Sequence, residues 1–138
     1  MKLKMILIGL IAFGFAGFAM SATAGSIPDT DSDLIPDYFD NCYMVPNGPD
    51  EGINGSGNQV DADEDGYGNQ CDGDLTNDGV VGGTDFSVFV MLFGQAGTPA
   101  DFTGDGVVGG TDFSAFVTLF STNPGPSGLA CAGTIPCQ

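Results

Sequence analysis

The sequence predicts a small α fold with irregular, ligand-held loops, in which a paired loop–helix module follows a segment that has no apolar core. Three observations predict it. The stretch Asp74–Phe93, DLTNDGVVGGTDFSVFVMLF, returns 27 positions later as Asp101–Phe120, DFTGDGVVGGTDFSAFVTLF, with 16 of 20 positions identical. Each copy is an acidic, glycine-bearing loop running into an apolar stretch of helical spacing. Ahead of the repeat, aspartate recurs at alternate positions from Asp29 and again from Asp61, with little apolar periodicity. Last, Lys2 and Lys4 are the only cationic side chains, so residues 25–138 set 18 acidic residues against no Lys, Arg or His. Uncompensated charge of that size opposes compaction, so the acids need cations from outside the chain.

Residues 1–24 have the order of a secretory signal peptide: Lys2 and Lys4, an apolar run from Met5 to Met20, then Ala22-Thr23-Ala24. The run is short for a membrane span and no Lys or Arg follows it, so cleavage before Gly25 is expected and no membrane association after it. The chain is then expected outside the cell or on its surface. The acidic balance also excludes nucleic acid, because no side chain is available to neutralise phosphate. A disordered acidic tail is disfavoured by the 11 phenylalanines and clustered valines.

Four cysteines in an exported chain read as two disulfides with three possible connectivities, of which the nearest-neighbour choice pairs Cys42 with Cys71 and Cys131 with Cys137. Bound zinc is the competing reading, but the spacings contain no C-x-x-C and there is no His.

Between Gly25 and Asp72, Pro28, Pro36, Pro46 and Pro49 break any helix, and the segment is expected to be irregular, held by ligands and a disulfide. Two 12-residue loops fit it. The first has Asp29, Asp31, Asp33, Asp37 and Asp40 at positions 1, 3, 5, 9 and 12, with the Ile35 carbonyl at position 7. The second has Asp61, Asp63, Asp65, Asn69 and Asp72 at the same positions, with Gly66 at 6 and the Tyr67 carbonyl at 7. Side chains at 1, 3 and 5 of a tight loop converge on one ion, the carbonyl at 7 turns inward and a carboxylate at 12 closes the shell. An all-oxygen set suits calcium and not zinc. Leu34 stands at position 6 of the first loop, where a sharp turn favours glycine, so weaker binding or a distorted geometry is expected there.

Here the chain resembles thrombospondin type 3 repeats, through D-x-D-x-D … D-N-C at Asp29–Cys42 and D-x-D-x-D-G-x-G-x-x-C-D at Asp61–Asp72. The resemblance implies that calcium and disulfides replace a hydrophobic core in residues 25–72. Within the intervening insertion, Asn54-Gly55-Ser56 has the form of a glycosylation acceptor, though a flexible polar turn is the favoured reading.

In the tandem repeat, residues 73–122, Asp74, Thr76, Asp78, the Val80 carbonyl and Asp85 take positions 1, 3, 5, 7 and 12 of an EF-hand-like loop, with Gly79 at 6. Asp101, Thr103, Asp105, the Val107 carbonyl and Asp112 repeat the set, with Gly106 at 6. Thr84 and Thr111 are placed to cap the helices that follow. Phe86, Phe89, Val90 and Phe93, and likewise Phe113, Phe116, Val117 and Phe120, fall on one stripe of each helix, so the two stripes are expected to pack together. Val88, Met91 and Leu92 lie off that stripe. Gly94 is expected to end the first helix, and Asn123-Pro124 to follow the second.

These residues resemble a type I dockerin module, two D-x-N-x-D-G … D loops each followed by a helix and related by a pseudo-twofold. The resemblance implies calcium in both loops and docking on a cohesin-like protein near the helix starts, at Thr84 and Thr111. The Pro/Gly-rich tail, residues 123–138, is expected to be a tether carrying its own disulfide clip.

No catalytic constellation is present: without His, Lys or Arg in residues 25–138 there is almost no candidate for a general base, nucleophile or oxyanion donor, and an enzyme is not expected. Up to four calcium ions and a protein partner are. That partner is either a second copy, in a structural or assembly role, or a cohesin-like domain, in an adaptor role.

Overall fold

The computed structural model describes residues 26–55 and 57–137. The expected signal peptide, and Ser56 of the Asn54 triplet, lie outside the described residues. Two α-helices, α1 (Gly83–Leu92) and α2 (Gly110–Leu119), and two single 3-10 turns, Asp37–Phe39 and Ile53–Gly55, account for the regular structure. Everything else among the described residues is turn, bend or irregular, and none of it is strand.

Each helix starts where a loop carboxylate can reach its cap. The N-caps are Gly82 and Gly109, in extended backbone, and their N–H groups donate to Asp85 and Asp112 in the third helical position at 2.7 Å. Thr84 and Thr111 are therefore not the caps. They sit in the second helical position with no cap to supply, because the Asp one residue on already serves the cap amide and the dipole favours its charge there. After the helices, Gly94 and Ser121 occupy equivalent positions in left-handed backbone, at φ 82° and 71°.

The repeats complete each other's backbone. Val81 donates to the Thr122 carbonyl and accepts from the Ser121 amide, both at 2.9 Å, while Val108 donates to the Gln95 carbonyl and accepts from the Gly94 amide, both at 2.8 Å. Each loop thus pairs with the end of the other helix, in a pseudo-twofold arrangement.

Between the helices Phe89, Phe102 and Phe116 stack with ring centroids 5.4 to 6.1 Å apart. Val81, Val108 and Ala100 close this core, with Leu75, Leu92, Ala115 and Leu119 partly buried around it. The expected packing stripe is corrected here. Of Phe86, Phe89, Val90 and Phe93 only Phe89 is buried, and of Phe113, Phe116, Val117 and Phe120 only Phe116. The inward face of α1 instead runs Asp85, Val88, Phe89, Leu92, which is also an i, i+3, i+4, i+7 series. Asp85 sets this rotation. Its carboxylate must point into the loop, and the residue one turn on, Phe89, then points into the core.

Residues 26–72 pack through polar groups. Cys42 and Cys71 are fully buried and bonded, with Cα atoms 5.7 Å apart, amid buried Asp33, Asp40, Asn41, Asn47, Asp65, Asn69 and Asp72. Gln59 ties this interior, accepting from the Asn41 amide and donating to Asp40 Oδ1, both at 2.8 Å. The segment also touches the second repeat and the connector before it: the Ile53 amide donates to the Gly104 carbonyl at 3.2 Å, and Asn69 Nδ2 to the Thr98 carbonyl at 3.2 Å.

Residues 123–137 are a strap, not the tether expected. Amides of Gly125, Gly128, Gly133 and Cys137 donate to the carbonyls of Cys71, Asp40, Asp65 and Glu64 at 2.7 to 3.2 Å. Gly128 is required by this closeness, since a Cβ there would collide with the Asp37 carbonyl. The Cys131–Cys137 disulfide closes the far end of the strap.

Candidate metal sites

All four acidic loops make the same turn. In each, the position 1 carboxylate accepts the amide of position 6: Asp29 from Leu34 at 3.2 Å, Asp61 from Gly66 at 2.8 Å, Asp74 from Gly79 at 2.6 Å and Asp101 from Gly106 at 3.0 Å. The position 5 carboxylate accepts the amide of position 7: Asp33 from Ile35 and Asp65 from Tyr67 at 2.8 Å, Asp78 from Val80 and Asp105 from Val107 at 3.1 Å. Position 6 is left-handed throughout, with φ 81° at Leu34 and 90° to 98° at the three glycines. The distortion expected at Leu34 is absent. The leucine adopts the glycine conformation and carries the strain itself.

This turn folds the acids onto one another. Asp29, Asp31 and Asp33 form one group, Asp61, Asp63 and Asp65 a second, Asp74, Asp78 and Asp85 a third, and Asp101, Asp105 and Asp112 a fourth, each with one oxygen per residue within 4.8 Å of the others. Each group can hold a metal ion. In the third and fourth, Thr76 and Thr103 lie against the closing carboxylate, their amides and hydroxyls donating to Asp85 and Asp112 at 2.9 to 3.0 Å.

The remaining position 9 and 12 residues of the first two loops have other partners. The Asp37 carboxylate accepts from the Thr30 amide at 2.6 Å and hydroxyl at 2.8 Å. Asn69 accepts from the Ala62 amide at 3.0 Å. Asp72 accepts from the Asp74 amide at 2.8 Å and so joins the second loop to the third. Asp40 is fully buried; Oδ1 accepts from the Cys42 amide at 2.8 Å, while Oδ2 is sealed from solvent with no donor. Asp31 Oδ2 is sealed and without a donor in the same way. One tie between loops has no sequence signal at all: Asn77 Nδ2 donates to Asp63 Oδ2 at 3.2 Å.

The charges are poorly supported by the protein alone. Burial pushes Asp72 up to about 8, against the Asp74 amide bond and aided by the charges of Asp65, Asp63 and Asp74. Burial pushes Asp65 up to about 6, opposed by the Tyr67 amide and helped by Asp63, Asp61 and Asp74. Asp31, Asp40, Asp63 and Asp101 are raised as well, burial being the largest cause in each. Asp85 is the exception. Burial raises it, but bonds from the Gly82 amide and from the Thr76 hydroxyl and amide outweigh that and hold it below its ordinary value. A divalent cation among these groups stabilises every anion that burial destabilises.

Comparison with protein-family models, curated protein sequences and solved structures gives no match to this chain. The loop geometry therefore carries the functional reading by itself.

Proposed function

We propose that the protein is an exported calcium-binding structural or assembly protein, with ions in its four acidic loops setting the shape of a module that associates with other protein in a surface layer, matrix or filament. The observation that carries this reading is the convergence of four carboxylate triads in a chain with no cation beyond Lys4. Two sealed, donorless oxygens in and beside the first triad, on Asp31 and Asp40, add to it, since a buried anion without a partner is costly.

In this reading the first ion is held by Asp29, Asp31 and Asp33 with Asp40 nearby, the second by Asp61, Asp63 and Asp65, the third by Asp74, Asp78 and Asp85 and the fourth by Asp101, Asp105 and Asp112. The carbonyls of Ile35, Tyr67, Val80 and Val107 complete the shells, and Asp72 is shared electrostatically between the second and third. Oxygen ligands in flexible loops favour calcium over transition metals. The function of the ions is structural: they replace the counter-charges the chain does not supply and fold the loops that orient α1 and α2.

Counting metal by native mass spectrometry tests this, with four ions expected. Two ions only would remove residues 26–72 as a binding region. Circular dichroism in EDTA, with disulfides intact, is expected to show loss of the helical signal, and an unchanged spectrum would sink the structural role. A second reading, an adaptor docking on a cohesin-like partner, is favoured by one observation: Thr84 and Thr111 are both exposed at the starts of the paired helices.

A further inference from the structure

Away from the loops, the most unusual surface is the one the helices turn to solvent. Phe86 and Val90 of α1 with its C-cap Phe93, and Phe113 and Val117 of α2 with its C-cap Phe120, lie on it, each between 42 and 56 % exposed. The two halves meet at Phe86 and Phe113, whose ring centroids are 6.3 Å apart. Phe93 and Phe120 are anchored edge-on to the buried Phe89 and Phe116, at 6.1 and 5.9 Å, so the outer rings are fixed in place.

Neither helix puts a charged side chain on this face. The only acids in the helices, Asp85 and Asp112, are fully buried. Four phenylalanines and two valines, each about half exposed, present roughly 500 Å² of apolar surface, so two copies meeting here bury about 1,000 Å², enough for a specific interface.

We propose that this face docks a second copy of the chain, giving a twofold dimer joined helix face to helix face. Charge selects the orientation. Another copy has no cation beyond residue 4 to offer, so contact through the loops sets carboxylate against carboxylate, whereas this face brings none together. Area selects the partner. The same six side chains on a second copy supply an apolar surface of matching size, and an isologous contact sets one patch against its own counterpart. The proposal rests on the calcium-binding reading above, since the loops must be filled to hold the helices in register and to lower the repulsion between copies.

Sedimentation equilibrium of the secreted chain in millimolar calcium, disulfides intact, tests it alongside a native mass spectrum of the same sample. A dimer is expected. Val90→Glu with Val117→Glu is expected to weaken association by at least about tenfold, as like charges buried opposite one another do, with the helical spectrum and metal count unchanged. Ile27→Glu, which adds a charge at an exposed site off the helices, is expected to leave the dimer intact. If the glutamate pair unfolds the module, Val90→Thr with Val117→Thr is expected to weaken the dimer in the same direction. A monomer whose calcium sites are filled overturns the interface and leaves the calcium reading standing. A dimer unaffected by either pair of substitutions also overturns it. A chain that binds no calcium removes the underlying reading, and this proposal with it.

Discussion

Leu34 shows what the loop chemistry demands of a single residue. Its side chain is 67 % exposed and its backbone sits at φ 81°, a region that costs a non-glycine residue about 1–3 kcal/mol. The leucine tolerates this because its amide must donate to Asp29, as the position 6 glycines do to Asp61, Asp74 and Asp101. Leu34→Gly is expected to stabilise the protein by about 1 kcal/mol, part of the relieved strain being offset by the greater freedom of glycine when unfolded. Chemical denaturation in calcium measures it, and a loss of stability would mean that the leucine side chain makes a contact worth more than the strain. Alternation of aspartates made the loops readable from sequence, because the chemistry lies in spacing. It could not reveal that Asp37 would turn to Thr30, since nearby hydroxyl and amide donors compete for any carboxylate.

At the level of elements, helix positions were legible and helix rotation was not. Phenylalanines at 86, 89 and 93 satisfy a helical period on two overlapping stripes, and hydrophobicity cannot choose between them. The choice is made by Asp85 and Asp112, whose inward carboxylates bring Phe89 and Phe116 one turn on into the core. The strap formed by residues 123–137 was illegible for a different reason: its attachment runs through backbone amides and carbonyls, which every residue has. In residues 26–72 the disulfide is the only covalent constraint between the first loop and the second, so its removal has a local effect. Cys42→Ser with Cys71→Ser is expected to cost about 3–4 kcal/mol by the loop-entropy argument. The metal count is expected to fall toward two while α1 and α2 keep their helical signal in excess calcium. Loss of all four ions together would show that the two halves fold as one unit.

Across the whole molecule, net charge and burial pull against each other, and pH decides which prevails when cations are removed. Asp65 and Asp72, pushed up to about 6 and about 8, hold their protons more tightly folded than unfolded. Without metal they therefore favour the fold below the ordinary carboxylate range, and that contribution is lost as pH rises through those two values. Thermal melts in EDTA are expected to show a chain less stable at pH 8 than at pH 5. In calcium the order reverses, because protons compete with the ion for the same oxygens. Equal pH dependence with and without calcium would show that these acids do not face a bound ion. The reciprocal bonds of Val81 and Val108 have a consequence at this scale as well. Because each repeat supplies the backbone partner that the other lacks, and Phe89 of the first stacks on Phe102 and Phe116 of the second, the covalent link between them is expected to be dispensable once the module has formed. A single proteolytic nick in the exposed connector at Gly97 is expected to leave two fragments that elute together on size exclusion in calcium and that reassemble when mixed; separate elution would show that the connector is needed.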